Sequence, residues 1–291
     1  MHGEHLNAGT SISTFAKADS EDCKAIWLAC FPGDTPEVPE RFFRDVVGPE
    51  EGLVYRIDGR PVSMVFMLPS ALAGEGERLL IQYIYAAATH PDYQHRGIFA
   101  KLLRAALGKA RAQGAAASFL HPGEPGLADY YARFGYRPYF TASRTLLAAA
   151  ERGDGAGGSW TPVSAREYTA LRRDYLSRRA GDYVDWPERL VAYAVSTAES
   201  AGGGAVTDGR GNAALCEPRD GLLFVHELLC PQERREEAGR ELLGWYDCCK
   251  AEILSPPAAQ GEVYGLWCPL SDEGEKRLHT VRNPYMGIAL E

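Results

Sequence analysis

The order of apolar and polar positions predicts where the chain forms strands and helices. The strongest signal is the run at 79–89, which is apolar, contains β-branched and aromatic residues, and stops at His90-Pro91-Asp92. Such a run predicts a buried strand. From Ile98 to Leu107 apolar residues recur at helical spacing, and Gln113-Gly114 can end a helix, so an amphipathic helix is expected after the strand.

The same patterns predict the elements on either side of this unit. Before it they indicate a strand at 11–17, helices at 19–30 and 36–47, and a hairpin of 53–57 and 62–68 around Asp58-Gly59. After it they indicate a strand at 115–120, a short helix at 126–134 and closing strands at 136–140 and 143–147. The order is therefore strand, two helices, hairpin, long strand, helix, strand, helix and strands.

The second half of the chain repeats part of this plan. A Gly-rich stretch at 151–159 has the composition of a linker. Beyond it we expect helices at 164–179, 186–200 and 231–251, and strands at 205–207, 213–216, 222–229, 263–268 and 287–290.

The junction between the strand at 79–89 and the helix after it has the properties of an anion site. The first N–H groups of a helix lack partners within the helix, and the helix dipole favours negative charge there. Gly97 lets a ligand approach the backbone closely. No Asp or Glu occurs from Gln94 to Gly114, where the basic residues are Arg96, Lys101, Arg104, Lys109 and Arg111. In a chain of net charge −8 this local reversal predicts an anionic ligand that carries phosphate.

Two short motifs carry a family resemblance. The P-loop ending and the three-glycine dinucleotide fingerprint are both absent. Instead, Gln94–Ala100 resembles the acyl-CoA signature of the GNAT superfamily of N-acetyltransferases, Gln/Arg-x-x-Gly-x-Gly/Ala, with Phe99 where a second glycine is common. The segment 129–136 resembles the GNAT segment in which a tyrosine stands four residues before a glycine, and this selects Tyr131.

The resemblance covers about residues 10–150 and has several implications. It implies an α/β GNAT fold, with a central mixed β-sheet flanked by helices, and acetyl-CoA (coenzyme A) as the cofactor. It implies that the pantetheine arm pairs with strand backbone, and that Tyr131 is a general acid that protonates the leaving thiolate. The implied cofactor contacts are Ala87, Ala88, Thr89, Gln94, His95, Arg96, Gly97, Ile98, Phe99, Ala100 and Tyr131.

The same comparison suggests a tandem arrangement. We expect a GNAT acetyltransferase domain at 1–150, a linker at 151–159 and a degenerate GNAT-like domain at 160–291. In the second half the turn after the apolar strand contains Glu233, Glu236 and Glu237 and lacks glycine at the turn. These glutamates would repel phosphate, so we expect no coenzyme A there.

An attacking amine must first lose its proton, and several acids are candidates for the base. Glu75 and Glu77 precede the central strand, and Asp182 and Asp185 lie near Trp186. The terminal carboxylate of Glu291 is a further catalytic candidate, because some multi-domain GNAT relatives bring their C-terminus into the active site. A solvated surface charge is the competing interpretation for each acid.

Composition excludes several other classes. The acidic balance argues against nucleic acid as the main partner. No window approaches the roughly 18 apolar residues of a membrane span, and the polar start at 1–5 lacks a signal pattern, so we expect no membrane contact and a cytoplasmic location. The seven cysteines are scattered, and His90, His95 and His121 lack accompanying ligands, so no metal site is expected.

Together these patterns predict an acetyl-CoA-dependent N-acetyltransferase. The acceptor would be a primary amine of a small molecule or peptide that attacks the thioester directly. The alternative is a non-catalytic acyl-CoA-binding sensor or interaction module. The sequence does not identify the acceptor, and it leaves a homodimer open.

Overall fold

The structure is a computed structural model that describes residues 9–74, 77–124, 126–148, 160–258 and 261–290. Within these ranges the strands are β1 Thr10–Thr14, β2 Gly52–Ile57, β3 Arg60–Gly74, β4 Glu77–Thr89, β5 Ala117–Leu120, β6 Arg137–Ala148, β7 Thr161–Pro162, β8 Tyr183–Asp185, β9 Gly204–Thr207, β10 Ala213–Arg219, β11 Leu222–Leu229, β12 Lys250–Ser255 and β13 Glu262–Pro269. The helices are α1 Ser20–Cys30, α2 Glu37–Arg41, α3 Ile98–Ala112, α4 Leu127–Ala132, α5 Ala165–Ser177, α6 Glu188–Ser200, α7 Arg235–Trp245 and α8 Asp272–Thr280. A π-helical turn, Phe42–Val46, continues α2.

These strands form one mixed sheet that runs through both halves of the chain. Its order is β1-β2-β3-β4-β5-β13-β6-β12-β11-β10-β9-β7, and β8 pairs with β3. The β4–β5 and β11–β12 pairs are parallel, and the other strand pairs are antiparallel. The predicted mixed α/β sheet with flanking helices is therefore confirmed.

The middle of the sheet is built from both sides of the predicted linker. Strand β13, from the end of the chain, lies between β5 and β6. Strand β6 pairs with β13 through 137–142 and with β12 through 143–148. The division into two domains stays a prediction, and the backbone hydrogen bonds run across its boundary.

Four predicted elements were wrong in detail. The two closing strands at 136–140 and 143–147 are the single strand β6. The helix expected at 231–251 ends at Trp245, because Asp247 takes a positive φ of 51°, and the next residues alternate in burial as the strand β12. The tail at 287–290 is not a strand, and the polar helix α8 was not predicted.

Around β4, helices cover both faces of the sheet and enclose two separate cores. On one face α1, the α2 segment and α6 pack around large apolar side chains such as Trp27, Phe42 and Trp186. On the other face α3 and α4 pack with Leu102, Leu103 and Tyr131. The central strand β4 contributes to both cores because successive side chains of a strand point to opposite faces.

Candidate active site

The site begins where β4 and β5 separate. These parallel strands pair only through 81–83 and 117–119. Beyond Tyr83, within the described residues, the backbone of β4 has no strand partner on the β5 side. Unpaired strand backbone can bind an extended amide-containing ligand by adding it as a further strand, and this gap contains the predicted positions Ala87, Ala88 and Thr89.

A β-bulge distorts β4 at the start of this gap. On the β3 side Tyr85 faces Phe66 and Ala88 faces Met64, so two residues of β4 oppose one of β3. Ala86 takes a φ of 45°, which is uncommon for a residue with a side chain. Bulges redirect backbone groups and occur often beside active sites. The bulge was not predicted, because Ala86 carries no local signal for a left-handed conformation.

Hydrogen bonds from side chains hold the end of β4 in place. The Ser63 hydroxyl donates to the Ala88 carbonyl at 2.8 Å. The Gln94 amide donates to the Thr89 carbonyl at 3.0 Å, and the Cys30 thiol donates to the same oxygen. Gln94 therefore joins the turn before α3 to the edge of the gap.

The turn before α3 presents unpaired backbone donors to solvent. Both His95 and Gly97 are left-handed, with φ of 60° and 70°. Gly97 caps α3 without any side-chain hydrogen bond, and residues 94–97 are exposed. Since no side chain caps the first turn of α3, its N–H groups remain available for an anion. The left-handed conformation is also the physical reason for glycine at 97.

The charges around this turn are those expected for an anion. Arg96 donates to the Asp92 carbonyl at 2.7 Å and lies over the Tyr93 ring. In the described part of the chain neither Arg96 nor Lys101 forms an ion pair with a carboxylate. Lys109, at the far end of α3, is paired with Glu50, so its positive charge is already compensated.

Aromatic contacts join the turn to Tyr131. Phe99 stacks on Tyr130 at 5.9 Å between ring centroids and meets Tyr131 edge-on at 6.3 Å. This packing explains why an aromatic residue stands at 99, next to the partly buried Ala100 and the buried Ile98. Tyr131 is 8% exposed, and burial, with a smaller effect of Tyr130, raises its pKa to about 12. Among the described residues its hydroxyl has no hydrogen-bond partner.

A cavity of about 290 Å³ lies on the opposite face of the sheet from Tyr131. It is bounded by the loop from Gly33 to Arg41, by α6, by β10 and β11, and by the chain from Ile288 to Leu290. Tyr85 of β4 also lines it, with its hydroxyl 3.3 Å from that of Tyr193. Both halves of the chain therefore contribute walls to a cavity beside the bulge of β4.

A histidine and a carboxylate meet on the wall of this cavity. His226 Nε2 lies 2.9 Å from Glu217 Oε2, and Arg219 contacts the other oxygen. Glu217 is 2% exposed. Burial raises its pKa, but the hydrogen bonds from His226 and Arg219 outweigh burial, so the pKa of Glu217 is lowered. We call His226 and Glu217 the dyad; a carboxylate in this position orients the imidazole.

The dyad was not predicted from the sequence. A signal existed, because Glu217 lies within the mostly apolar strand β10, and His226 and Glu227 lie within the mostly apolar strand β11. Only the pairing of β10 with β11, through a register shift at Leu215 and Cys216, brings His226 to Glu217.

The acids that were predicted as bases have other positions. Asp182 is buried beside Arg277, and Asp185 is bound by Arg78 at 2.5 Å and by Arg173 at 2.7 Å. Neither lines the cavity, and each has the partners of a structural ion pair. Glu75, the Glu77 side chain and Glu291 lie outside the described residues.

A buried ion pair fixes the tail that reaches the cavity. Arg172 bonds to Glu227 at 2.9 Å and donates to the Met286 carbonyl at 3.1 Å. Trp186 donates to the same carbonyl at 2.9 Å. Three residues further on, the Ala289 carbonyl accepts a hydrogen bond of 2.5 Å from Tyr83 of β4. These contacts hold the tail against the start of the gap.

Two absences concern only the described residues. None of their helices is long and apolar enough to cross a membrane. No three of their His, Cys, Asp and Glu side chains are grouped so that they could hold a metal ion.

Comparisons with known proteins agree with this geometry. Residues 11–139 match the family model of the acetyltransferase (GNAT) domain. A GCN5-related N-acetyltransferase from Kribbella flavida superposes with a TM-score of 0.69 at 18% identity, covering 91% of this chain and 73% of that one. Eis1 from Mycobacterium abscessus superposes with a TM-score of 0.62 at 16% identity, covering 90% of this chain and 73% of that one. A putative acetyltransferase from Pyrococcus horikoshii gives 0.62 at 18% identity, covering 99% of each chain. Curated proteins gave no match.

The family match covers 129 of the 291 residues, so it indicates a GNAT acetyltransferase domain at 11–139 and does not extend to the rest of the chain. The solved structures are similar over nearly the whole chain, and at these identities they establish its fold.

Proposed function

We propose that this chain transfers an acetyl group from acetyl-CoA to a primary amine of a small molecule or peptide. The observation that carries the proposal is the junction of the β4–β5 gap with the left-handed turn at His95 and Gly97. The gap suits an extended amide chain, and the turn suits a pyrophosphate. The chemistry that acetyl-CoA would supply is an activated thioester carbonyl.

The residues for holding the cofactor are those predicted from the sequence. The backbone N–H groups of Gly97, Ile98 and Phe99, at the start of α3, would bind phosphate oxygens. Arg96 adds positive charge beside them. The backbone of β4 near Ala87 and Ala88 would pair with amides and polarise the carbonyl that is attacked.

The acceptor would enter the 290 Å³ cavity on the other face of the sheet. Its lining carries three acids, Asp34, Glu37 and Glu217, against two arginines, Arg41 and Arg219, and this small excess of negative charge favours a cationic amine. We propose that His226, oriented by Glu217, accepts the proton that the amine must lose before it attacks. Glu291, outside the described residues, stays a proposed alternative base.

Tyr131 is the proposed proton donor to the leaving sulfur. With a pKa of about 12 its phenol carries a proton at neutral pH. Relative to an ordinary thiol near 8.5, complete transfer is uphill by about 3.5 pKa units, or roughly 5 kcal/mol. Burial away from water raises the pKa of the phenol and also that of a buried thiol. The difference between the two pKa values is therefore smaller inside the site.

Calorimetric titration with acetyl-CoA tests the cofactor site. The double variant Arg96→Glu, Gly97→Glu should abolish micromolar binding by placing two negative charges in the turn. The matched control is Gly209→Glu, Arg210→Glu, which makes the same changes at an exposed loop whose glycine has a similar φ of 69°. Equal loss in both variants, or no binding by the native protein, would refute the proposed site.

Release of free thiol in a panel of amines then tests turnover. A native protein that binds acetyl-CoA tightly but acetylates no amine would instead support a non-catalytic sensor or interaction module. The cytoplasmic location and the homodimer remain predictions from the sequence alone.

A further inference from the structure

A second cavity, of about 610 Å³, opens far from the dyad, where α5 ends and α7 begins. Its walls include Tyr175 and three arginines, Arg179, Arg235 and Arg282, together with the turn after β12 at 256–258. No carboxylate is among the residues that line it. In a chain of net charge −8 this is an unusual concentration of positive charge.

These arginines are held in place but are not neutralised. Arg179 donates to the carbonyls of Pro257 and Asn283 at 3.2 and 3.0 Å, and Arg235 donates to that of Pro256 at 2.5 Å. Within the described chain neither forms an ion pair with a carboxylate. Neutral carbonyls therefore fix the direction of each guanidinium and leave its charge uncompensated.

Neighbouring arginines behave differently. Arg178, next to Arg179, pairs with Asp174, and Arg234, next to Arg235, pairs with Asp208, Glu237 and Glu241. Glu237 and Glu241 thus bind Arg234, and none of Glu233, Glu236 and Glu237 lines the cavity. The arginines that do line the cavity are the ones without a carboxylate.

Two further observations indicate an unmet demand for negative charge. Nη1 of Arg179 and Nε of Arg235 are buried and have no hydrogen-bond partner among the described residues. Burial lowers the pKa of Arg179; Tyr285 and Tyr175 oppose this effect, and the Arg235 guanidinium adds a smaller lowering of its own. A buried donor without a partner is costly, and an anion bound in the cavity would relieve the repulsion between the like charges.

The cavity also has the right place in the fold for a ligand. Strands β11 and β12 are parallel and pair only through 222–225 and 250–253, with α7 connecting them. The cavity lies beyond their carboxyl ends, at the N-terminal end of α7. The gap between β4 and β5 has the same relation to α3, and ligands of α/β sheets commonly bind at such positions.

We propose that this cavity binds a phosphate-bearing anion through Arg179, Arg235 and Arg282. Three guanidinium groups match a ligand with several negative charges, since hydrogen bonds between guanidinium groups and phosphate oxygens are charge-assisted. Recognition differs from that at Gly97, where backbone N–H groups would contact the phosphate. No left-handed residue lies between Gly221 and Asp247, so the start of α7 has no turn of the Gly97 kind.

Titration with inorganic pyrophosphate tests this site without using acetyl transfer. The titration is done in the Arg96→Glu, Gly97→Glu background, so that the first turn does not bind the probe. We expect one pyrophosphate per chain, with affinity about 10-fold weaker for each of Arg179→Gln and Arg235→Gln. Arg178→Gln is the matched control, because it removes the same charge one residue away and outside the cavity.

Arg282→Gln keeps the test decisive if the buried variants unfold. Arg282 is exposed, so its loss should weaken pyrophosphate binding while leaving the thermal unfolding midpoint unchanged. Absence of binding in the background variant, or equal affinities for Arg282→Gln and Arg178→Gln, would overturn the proposal. Acetyl-CoA titration of the native protein reports on the first site separately, so either proposal can fail alone.

Discussion

Replacing Gly287 with alanine should disrupt the segment 286–290, which reaches the cavity proposed for the acceptor. Gly287 has a φ of 71°, a left-handed conformation that disfavours any side chain. An added Cβ would stand 2.7 Å from Nη2 of Arg172 and closer still to Oε1 of Glu227. Both groups belong to the fully buried ion pair that holds the Met286 carbonyl, so neither can move without losing a partner.

The size of the effect follows from two separable costs. The left-handed backbone alone costs roughly 1–2 kcal/mol, partly offset by the lower entropy of the unfolded alanine variant, by about 0.4–1 kcal/mol. Separating a buried ion pair costs roughly 3–5 kcal/mol. Gly209→Ala is the matched control for the first cost, because Gly209 has a φ of 69° and an added Cβ there would meet no atom within 4 Å.

Equilibrium unfolding in urea measures both variants against the native protein. We expect Gly209→Ala to lower the free energy of unfolding by about 1 kcal/mol. Gly287→Ala should lower it by at least about 3 kcal/mol more. Equal losses in the two variants would refute the reasoning, since the collision with Glu227 and Arg172 would then contribute nothing.

Three other predictions concern the proposed chemistry and the acid stability. Tyr131→Phe should lower kcat by about 10²–10⁴-fold with little change in the affinity for acetyl-CoA; an unchanged kcat would exclude the phenol as proton donor. His226→Gln should lower kcat/KM by about 10²–10⁴-fold, since the proposed general base is removed; an unchanged kcat/KM would exclude His226 as the base. Burial raises the pKa of Asp185, but hydrogen bonds from Arg173 and Arg78 lower it overall. Its stabilising contribution is therefore present above the unfolded-state pKa of about 3.9 and is lost as the pH falls through the lower pKa of the folded state. Asp185→Asn should therefore weaken the dependence of the free energy of unfolding on acid pH, measured by urea unfolding between about pH 5 and 2.

Local features of the site were predictable from the sequence. The turn at Gly97, the helix α3 after it and the position of Tyr131 depend on residues within a few positions of each other. Glycine at a left-handed cap, apolar residues at helical spacing and a short aromatic segment each act over one or two turns of chain. The mixed sheet was implied by the family resemblance, and its hairpin and central strand also have strong local signals.

The remaining features depended on contacts between distant residues. The place of β13 between β5 and β6 joins residues at least 120 positions apart, and no pattern within β13 specifies those neighbours. The dyad of His226 and Glu217, the tail held by Arg172, and the arginine cavity are likewise set by strand order and helix packing. The sequence by itself indicated most of the helices and the left-handed turn before α3, because those depend on local backbone conformation and spacing. Tertiary structure decided which charged groups meet, because burial and pairing across the sheet are properties of the whole chain.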